Sequence, residues 1–206
     1  MSRLREQVTA EERTNRIAAA WESAGIPRRY RDFRLEDSPA TQAAAAVQVI
    51  INPAAWLLFC GPVGTGKTGL AVGYARRWVE NLDGRESIAF VDVPGLILEL
   101  RSSYAPGARE TEFAILRRYA NAGLLILDDL GAEYTRNADW LQEALWHVIG
   151  KRHAEMRPVI ITSNCSLRDL SEPVKCGVRL ADRIAESCGK HGIITVAGKS
   201  QRKAAQ

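Results

Sequence analysis

The run Gly61-Pro62-Val63-Gly64-Thr65-Gly66-Lys67-Thr68 completes the pattern G-x-x-x-x-G-K-[ST]. It follows a short continuous apolar stretch, Trp56 to Cys60, and precedes a segment with helical spacing, Gly66 to Asn81. Strand, glycine-rich loop and helix in that order are the context in which this pattern carries a mechanism. The glycines let the backbone curl so that successive N–H groups face an anion. The helix that follows points its positive end at the same place. Lys67 is expected to reach the outer phosphates of a nucleotide, and Thr68 to offer its hydroxyl to magnesium.

The rest of the chain alternates in the same way. Ser87 to Val91, Gly123 to Leu127, Pro158 to Thr162 and Gly192 to Val196 read as four further buried strands. Helices are expected at Val93 to Tyr104, Ala108 to Asn121, Asn137 to Ala154 and Val178 to Cys188, with Pro106-Gly107 separating the first two. Strands alternating with helices imply an α/β fold, a parallel sheet with helices on both faces. Upstream, Arg3 to Trp21 reads as a helix ended by Gly25 and Pro27, and Ala40 to Ile51 as another closed by Pro53. Between them lies a basic stretch with two aromatics, Ile26 to Arg34.

The strand Leu124-Leu125-Ile126-Leu127 ends in two carboxylates, Asp128 and Asp129. Ligands of open parallel sheets sit at the carboxyl ends of the strands. The two acids therefore emerge beside the phosphates. Asp128 is the expected metal-side acid, acting through coordinated water, and Asp129 the expected acid that polarises the attacking water. Glu133, four residues on, is an alternative for the second role.

Composition narrows the partners. The 206 residues carry a formal charge of +4, a milder bias than that of a dedicated basic nucleic-acid binder. The four cysteines form no C-x-x-C pair, and the three histidines match no triad or zinc spacing. No apolar run approaches the roughly 20 residues of a membrane span, and the charged amino terminus lacks a signal-peptide stretch. A cytoplasmic protein without membrane contact is expected.

From Trp56 to Lys203 the chain resembles AAA+ ATPases of the DnaC/DnaI helicase-loader and IstB transposition-helper group. The loop GPVGTGKT, LLILDDLGAE, WLQEALWHVIGKR, VIITSN and VRLADRIAES occur in the order of that group. IPRRYRDF looks like its lead-in to the ATPase core. The resemblance implies a three-layer P-loop NTPase fold with a five-stranded parallel sheet in the order 5-1-4-3-2 and little or no carboxy-terminal lid. It implies a helical extension and lead-in over 1–54, an ATPase core over 55–198 and a basic tail over 199–206. ATP and Mg2+ are the implied cofactors. Asn164 looks like the polar sensor of the terminal phosphate, and Arg183 like the arginine finger given to a neighbouring subunit. Arg179, a turn earlier, is placed with the nucleotide-binding residues, and Arg202 resembles a late sensor arginine.

The partners implied are single-stranded DNA, a replicative helicase or a transposase, and further copies of the chain in an ATP-dependent homo-oligomer. Tyr104 and Trp140 are the candidate base-stacking aromatics, with Arg101, Arg109, Arg117, Arg118 and Arg136 as candidate phosphate contacts. The expected function is that of an ATP-hydrolysing accessory of DNA replication, a helicase loader. Two alternatives stand beside it: a transposition helper acting on duplex DNA, and a switch that binds ATP but barely hydrolyses it.

Overall fold

The computed structural model describes residues 9–38, 56–131 and 138–198. Five strands form one parallel sheet: β1 (Leu57–Cys60), β2 (Ile88–Asp92), β3 (Leu124–Asp128), β4 (Val159–Ser163) and β5 (Ile193–Thr195). The spatial order is β2-β3-β4-β1-β5, the expected 5-1-4-3-2 read from the other edge. Every pairing is parallel. Seven helices accompany the strands among the described residues. They are α1 (Ala10–Ser23), α2 (Lys67–Asn81), α3 (Val93–Ser102), α4 (Glu112–Asn121), α5 (Ala138–Ala154), α6 (Leu167–Leu170) and α7 (Gly177–Cys188).

Side chains alternate across the sheet, and the two faces build two cores. Leu58, Leu125, Leu127, Val159 and Ile161 pack with Leu96, Ile115, Leu145 and Ile184 of the helices on one side. Leu57, Phe59, Ile126 and Ile160 pack with Leu70, Val72, Ala75 and Val79 of α2 on the other. Both faces are covered, which is why the strands read as unbroken apolar runs.

The amino-terminal segment lies on the α2 side. Thr9 and Glu12 form a capping box that starts α1, whose Ile17, Ala20 and Trp21 pack against the second core. The helix runs two residues past the expected Trp21, and its expected beginning at Arg3 lies outside the described residues. After Gly25, Arg28–Tyr30 and Leu35–Asp37 form two short 3-10 turns. They settle on α2, where Gly69 and Gly73 leave room. A Cβ at Gly73 would come within 2.9 Å of the Leu35 nitrogen, and one at Gly69 within 2.8 Å of the Phe33 ring.

Two further differences from expectation have a local cause. Helix α4 begins at Glu112, not near Ala108, because the Thr111 hydroxyl accepts from the Ala114 N–H and fixes the start there. The four-residue α6 was not expected; Ser166 and Asp169 close it with a capping box. The expected helix from Ala40 to Ile51 lies outside the described residues.

One buried side chain ties the bases of two strands together. Arg152, at the end of α5, is 0 % exposed. Its guanidinium donates to the carbonyls of Tyr119, Ala120, Ala122, Gly123 and Pro158 at 2.6–3.2 Å. Gly123 and Pro158 immediately precede β3 and β4, and Tyr119 and Ala120 belong to the last turn of α4. A cation there also meets the negative end of that helix.

Candidate nucleotide site

Strand order decides which chain segments meet. β4 lies between β1 and β3, so three strand ends stand side by side: the loop after β1, the acids of β3 and the polar end of β4. The first strand feeds α2 and then β2 at the far edge, which opens a crevice at the reversal of strand order.

The loop takes the form that its glycines allow. Gly61 sits at φ +147°, and a Cβ there would lie 2.3 Å from the Val196 carbonyl oxygen of the β5 end. Gly66 is left-handed at φ +93° and is the N-cap of α2. Lys67 is 7 % exposed and its ammonium donates to the carbonyls of Gly61 and Pro62 and to Asn164 Oδ1, each at 2.8 Å. Thr65 donates back to the Pro62 carbonyl at 3.0 Å, holding the loop closed on itself.

Opposite the loop, Thr68 Oγ1 donates to Asp128 Oδ1 and Oδ2 at 3.0 and 3.2 Å. Thr162 Oγ1 donates to Asp128 Oδ1 at 2.6 Å and accepts from the Asp129 N–H at 2.9 Å. Asn164 Nδ2 donates to Asp129 Oδ1 at 2.6 Å. Asn164 thus spans from the loop lysine to the second acid. Asp129 is in the left-handed region at φ +59°, a conformation that costs a non-glycine residue about 1 kcal/mol and clusters at functional sites. Burial pushes the Asp128 carboxyl above its ordinary range. The Thr162 and Thr68 hydroxyls pull it down, while the charges of Asp129 and Asp92 push it up.

A cavity of about 770 Å³ opens over these groups. Its floor is Gly64, Gly66, Lys67 and Thr68, with Asp128, Asp129, Thr162 and Asn164 on one side. Arg29, Tyr30 and Phe33 of the lead-in line it as well. Sequence reasoning placed that lead-in but gave it no role at the site.

The donor set fits a magnesium nucleotide. The loop supplies inward N–H groups, a helix amino terminus and one ammonium, which together match a polyphosphate. Thr68 and Asp128 supply a hydroxyl and a carboxylate already in contact. Among the described residues no three His, Cys, Asp or Glu side chains converge as a metal cage. Hard oxygens in so small a number suit Mg2+, which keeps waters and takes its remaining ligands from phosphates.

The other expected site residues fall elsewhere. Arg183 and Arg179 lie on α7, outside the phosphate cavity, with their guanidinium carbons 5.6 and 5.3 Å from the centre of the Trp146 ring. Arg183 also pairs with Glu186 at 3.3 Å. Val174, just before α7, and Val178, in its first turn, are 66 % and 58 % exposed. Tyr104 and Trp140 are brought together: Trp140 Nε1 donates to the Tyr104 oxygen at 3.3 Å, and Tyr104 donates to the Glu112 carboxylate. Neither lines the phosphate cavity. Arg118 is engaged by Glu99 and by Glu110, so its charge is shared with two carboxylates. Glu133, Arg136 and Arg202 lie outside the described residues. No helix among the described residues is long and apolar enough to cross a membrane.

Comparison with known proteins agrees with this geometry. Residues 28–206 match the family model of IstB-like ATP binding proteins. The chain is 32% identical over 153 residues to an insertion sequence IS5376 putative ATP-binding protein of Geobacillus stearothermophilus, covering 71% of this chain and 55% of that one. It is 26% identical over 127 residues to the replicative helicase loader DnaC of Buchnera aphidicola subsp. Baizongia pistaciae (strain Bp), covering 62% and 49%. The chain therefore spans about half the length of these two relatives. Among solved structures, the DnaC helicase loader aligns with a TM-score of 0.67 at 25% identity, over 83% of this chain and 100% of that one. DnaI aligns with a TM-score of 0.65 at 24% identity over 88% and 99%, a likeness of fold. A phosphate loop, an acidic strand end and an asparagine on adjacent strands of an AAA+ sheet are thus joined by a match over nearly the whole chain, and the protein belongs to the family of IstB-like ATP-binding proteins.

Proposed function

We propose that this chain is a magnesium-dependent ATPase that acts on DNA as an accessory to a larger machine, and that hydrolysis occurs between two copies. The observation that carries the reading is the bridge from Lys67 through Asn164 to Asp129. A phosphate oxygen that draws the lysine also changes the partner of the asparagine, and so the setting of the water-side acid. Asp128 and Thr68 would hold the metal, whose chemistry is to neutralise charge on the phosphates. Asp129 would orient the attacking water, with Glu133 as the alternative. Tyr30 and Phe33 would flank the base, and Arg29 the sugar or inner phosphates.

Among the described residues the cations that line the cavity are Lys67 and Arg29, at the loop and the lead-in, and in this reading a further cation for the transferred phosphoryl group comes from another copy. Arg183 would supply it to a neighbour, since it lies off its own cavity. Arg179 shares the Trp146 ring and belongs with that donated face. Residues 1–54 would then serve as an extension and lead-in to a core over 55–198, with 199–206 as a tail carrying Arg202.

For the process served, loading of a replicative helicase is the first reading, with single-stranded DNA passing the paired Tyr104 and Trp140. The family match and the insertion-sequence relative favour a second, a transposition helper on duplex DNA. Fluorescence anisotropy with labelled single and double strands of equal length, with and without ATP, separates them. Turnover stimulated by single strands supports the loader, and ATP-dependent preference for duplex supports the helper. Magnesium-ATP binding without turnover in the presence of either DNA would leave a nucleotide switch.

A further inference from the structure

The turn after β3 is shaped by its neighbour as much as by its own residues. Four consecutive positions at the end of β4 grip it. The Thr162 carbonyl accepts from the Leu130 N–H at 2.8 Å, and Ser163 Oγ donates to the Leu130 carbonyl at 2.6 Å. Asn164 holds the Asp129 carboxylate, and Cys165 Sγ lies 3.7 Å from the Gly131 carbonyl. Within this grip one atom does what none of the others does. The Thr162 hydroxyl touches both acids at once, donating its single proton to Asp128 and accepting from the backbone N–H of Asp129.

Both halves of that contact are directional. A hydroxyl has one proton, so giving it to Asp128 leaves its lone pairs to face the Asp129 N–H. The two bonds therefore specify each other. Thr162 is 2 % exposed, so water does not compete for either partner. Its backbone is fixed by pairing with Phe59 in β1, the strand that carries the phosphate loop. The hydroxyl is thus referenced to the loop, and through it so are both carboxylates. It also meets Asp129, the non-glycine residue of the turn in the left-handed region, and takes up its N–H.

We infer that Thr162 is the positioning residue of this site, fixing the separation and angle between the metal-side and water-side carboxylates relative to the phosphate loop. The inference rests on the proposed roles of Asp128 and Asp129. It assigns to the threonine a function distinct from that of Asn164, which contacts the lysine and the second acid but not the first. A threonine meets the requirement because its methyl group locks the rotamer on a buried strand while its oxygen stays with the acids.

The test compares wild type with Thr162→Val, Thr162→Ala and Thr162→Ser. Ser163→Ala is the control, a neighbouring hydroxyl that touches neither acid. Affinity for a non-hydrolysable ATP analogue is measured without magnesium and along a Mg2+ titration, and steady-state turnover is measured separately. Loss of an outer partner of a metal ligand typically costs about 10–100-fold in metal affinity or activity. Thr162→Val and Thr162→Ala are expected to raise the half-saturating Mg2+ concentration and lower kcat by about that factor, with magnesium-free analogue affinity within about twofold of wild type. Thr162→Ser restores both, and Ser163→Ala leaves the Mg2+ titration in place. Wild-type Mg2+ dependence and kcat in the hydroxyl-free variants would overturn the inference, as would a serine variant as impaired as the valine. A wild type whose nucleotide binding ignores Mg2+ would instead sink the underlying assignment of the acids. Thr162→Ala introduces no buried bulk and keeps the comparison open if the valine variant fails to fold.

Discussion

The phosphate cavity and the α7 face are built in opposite ways. In the cavity the side chains of the phosphate loop, the acids and the β4 end hold one another: Lys67 is held by Asn164, Asn164 by Asp129, and Asp128 by Thr68 and Thr162. On α7 the two arginines rest on one tryptophan ring, with a single exposed glutamate beside Arg183. The first region is a finished arrangement within one chain. The second is a set of long cationic side chains parked on an aromatic face, where a cation–π contact is worth about 0.5–1 kcal/mol and is readily exchanged for a phosphate. If Arg183 serves a neighbouring copy as proposed, the nucleotide is held by one copy and the cation for the transferred phosphoryl group comes from another.

That comparison breaks most visibly at Arg183. Arg183→Ala is expected to lower turnover by about 10³-fold, the low end for an arginine finger, while ATP affinity of the isolated chain stays unchanged. Mixing it with an equally inactive Lys67→Ala chain should recover activity, because each supplies what the other lacks. Coupled-assay turnover of the mixture checks this, and no recovery would place both residues in one site of one copy. Next in size, Lys67→Ala should weaken magnesium-ATP binding by about 100-fold by calorimetry, the equivalent of losing one or two charge-assisted hydrogen bonds. Asp129→Asn should retain ATP and lose turnover by about 100-fold, as expected for removal of a group that handles the water proton. Equal loss of binding would show that Asp129 serves the fold of the loop.

The smallest effect concerns Asp128 and has an unusual sign. Its folded-state pKa is raised by burial, so the folded chain binds more protons here than the unfolded chain. Stability from this group is fully present below the ordinary aspartate pKa and is lost as pH rises through the raised value. Asp128→Asn should therefore raise the thermal midpoint of the nucleotide-free protein at neutral pH. It should at the same time abolish the magnesium dependence of nucleotide binding. Scanning calorimetry from pH 4 to 8 gives the sign directly: the wild type should lose its disadvantage on acidification. An aspartate that is costly to the empty fold and required by the metal is the pattern of a functional charge.

Much of this was legible before any coordinates. The five strands are continuous apolar runs because both faces of a parallel sheet are covered, and the phosphate loop is a local pattern. Asp128 and Asp129 could be placed because they end such a run, and Asn164 because the resemblance to the helicase-loader group points to it. Thr162 could not, although it lies two residues before Asn164. Nothing in a buried strand threonine distinguishes a packed methyl from a hydroxyl shared by two acids, and the acids that define its role are 33 and 34 positions away. Tyr30 and Phe33 are visible as aromatics, but the seat of Phe33 depends on Gly69 and that of the next turn, at Leu35, on Gly73. Two glycines four apart on one helix are the sequence signal for a segment packed on it. The α4 start was misplaced because the break at Pro106-Gly107 is followed by residues compatible with a helix, and only the Thr111 cap sets where it begins.

Arg152 has a bearing on all of this from the opposite side of the molecule. By fastening the residues just ahead of β3 and β4, it gives both strands a common origin. Each then travels only five residues to the edge where chemistry is done. Over so short a run there is little room for error to accumulate, and the spacing between an acid and an asparagine is inherited from a point outside the phosphate cavity. The accuracy of the working edge is thus a property of its foundation, and loosening that one guanidinium would blur a site it never touches.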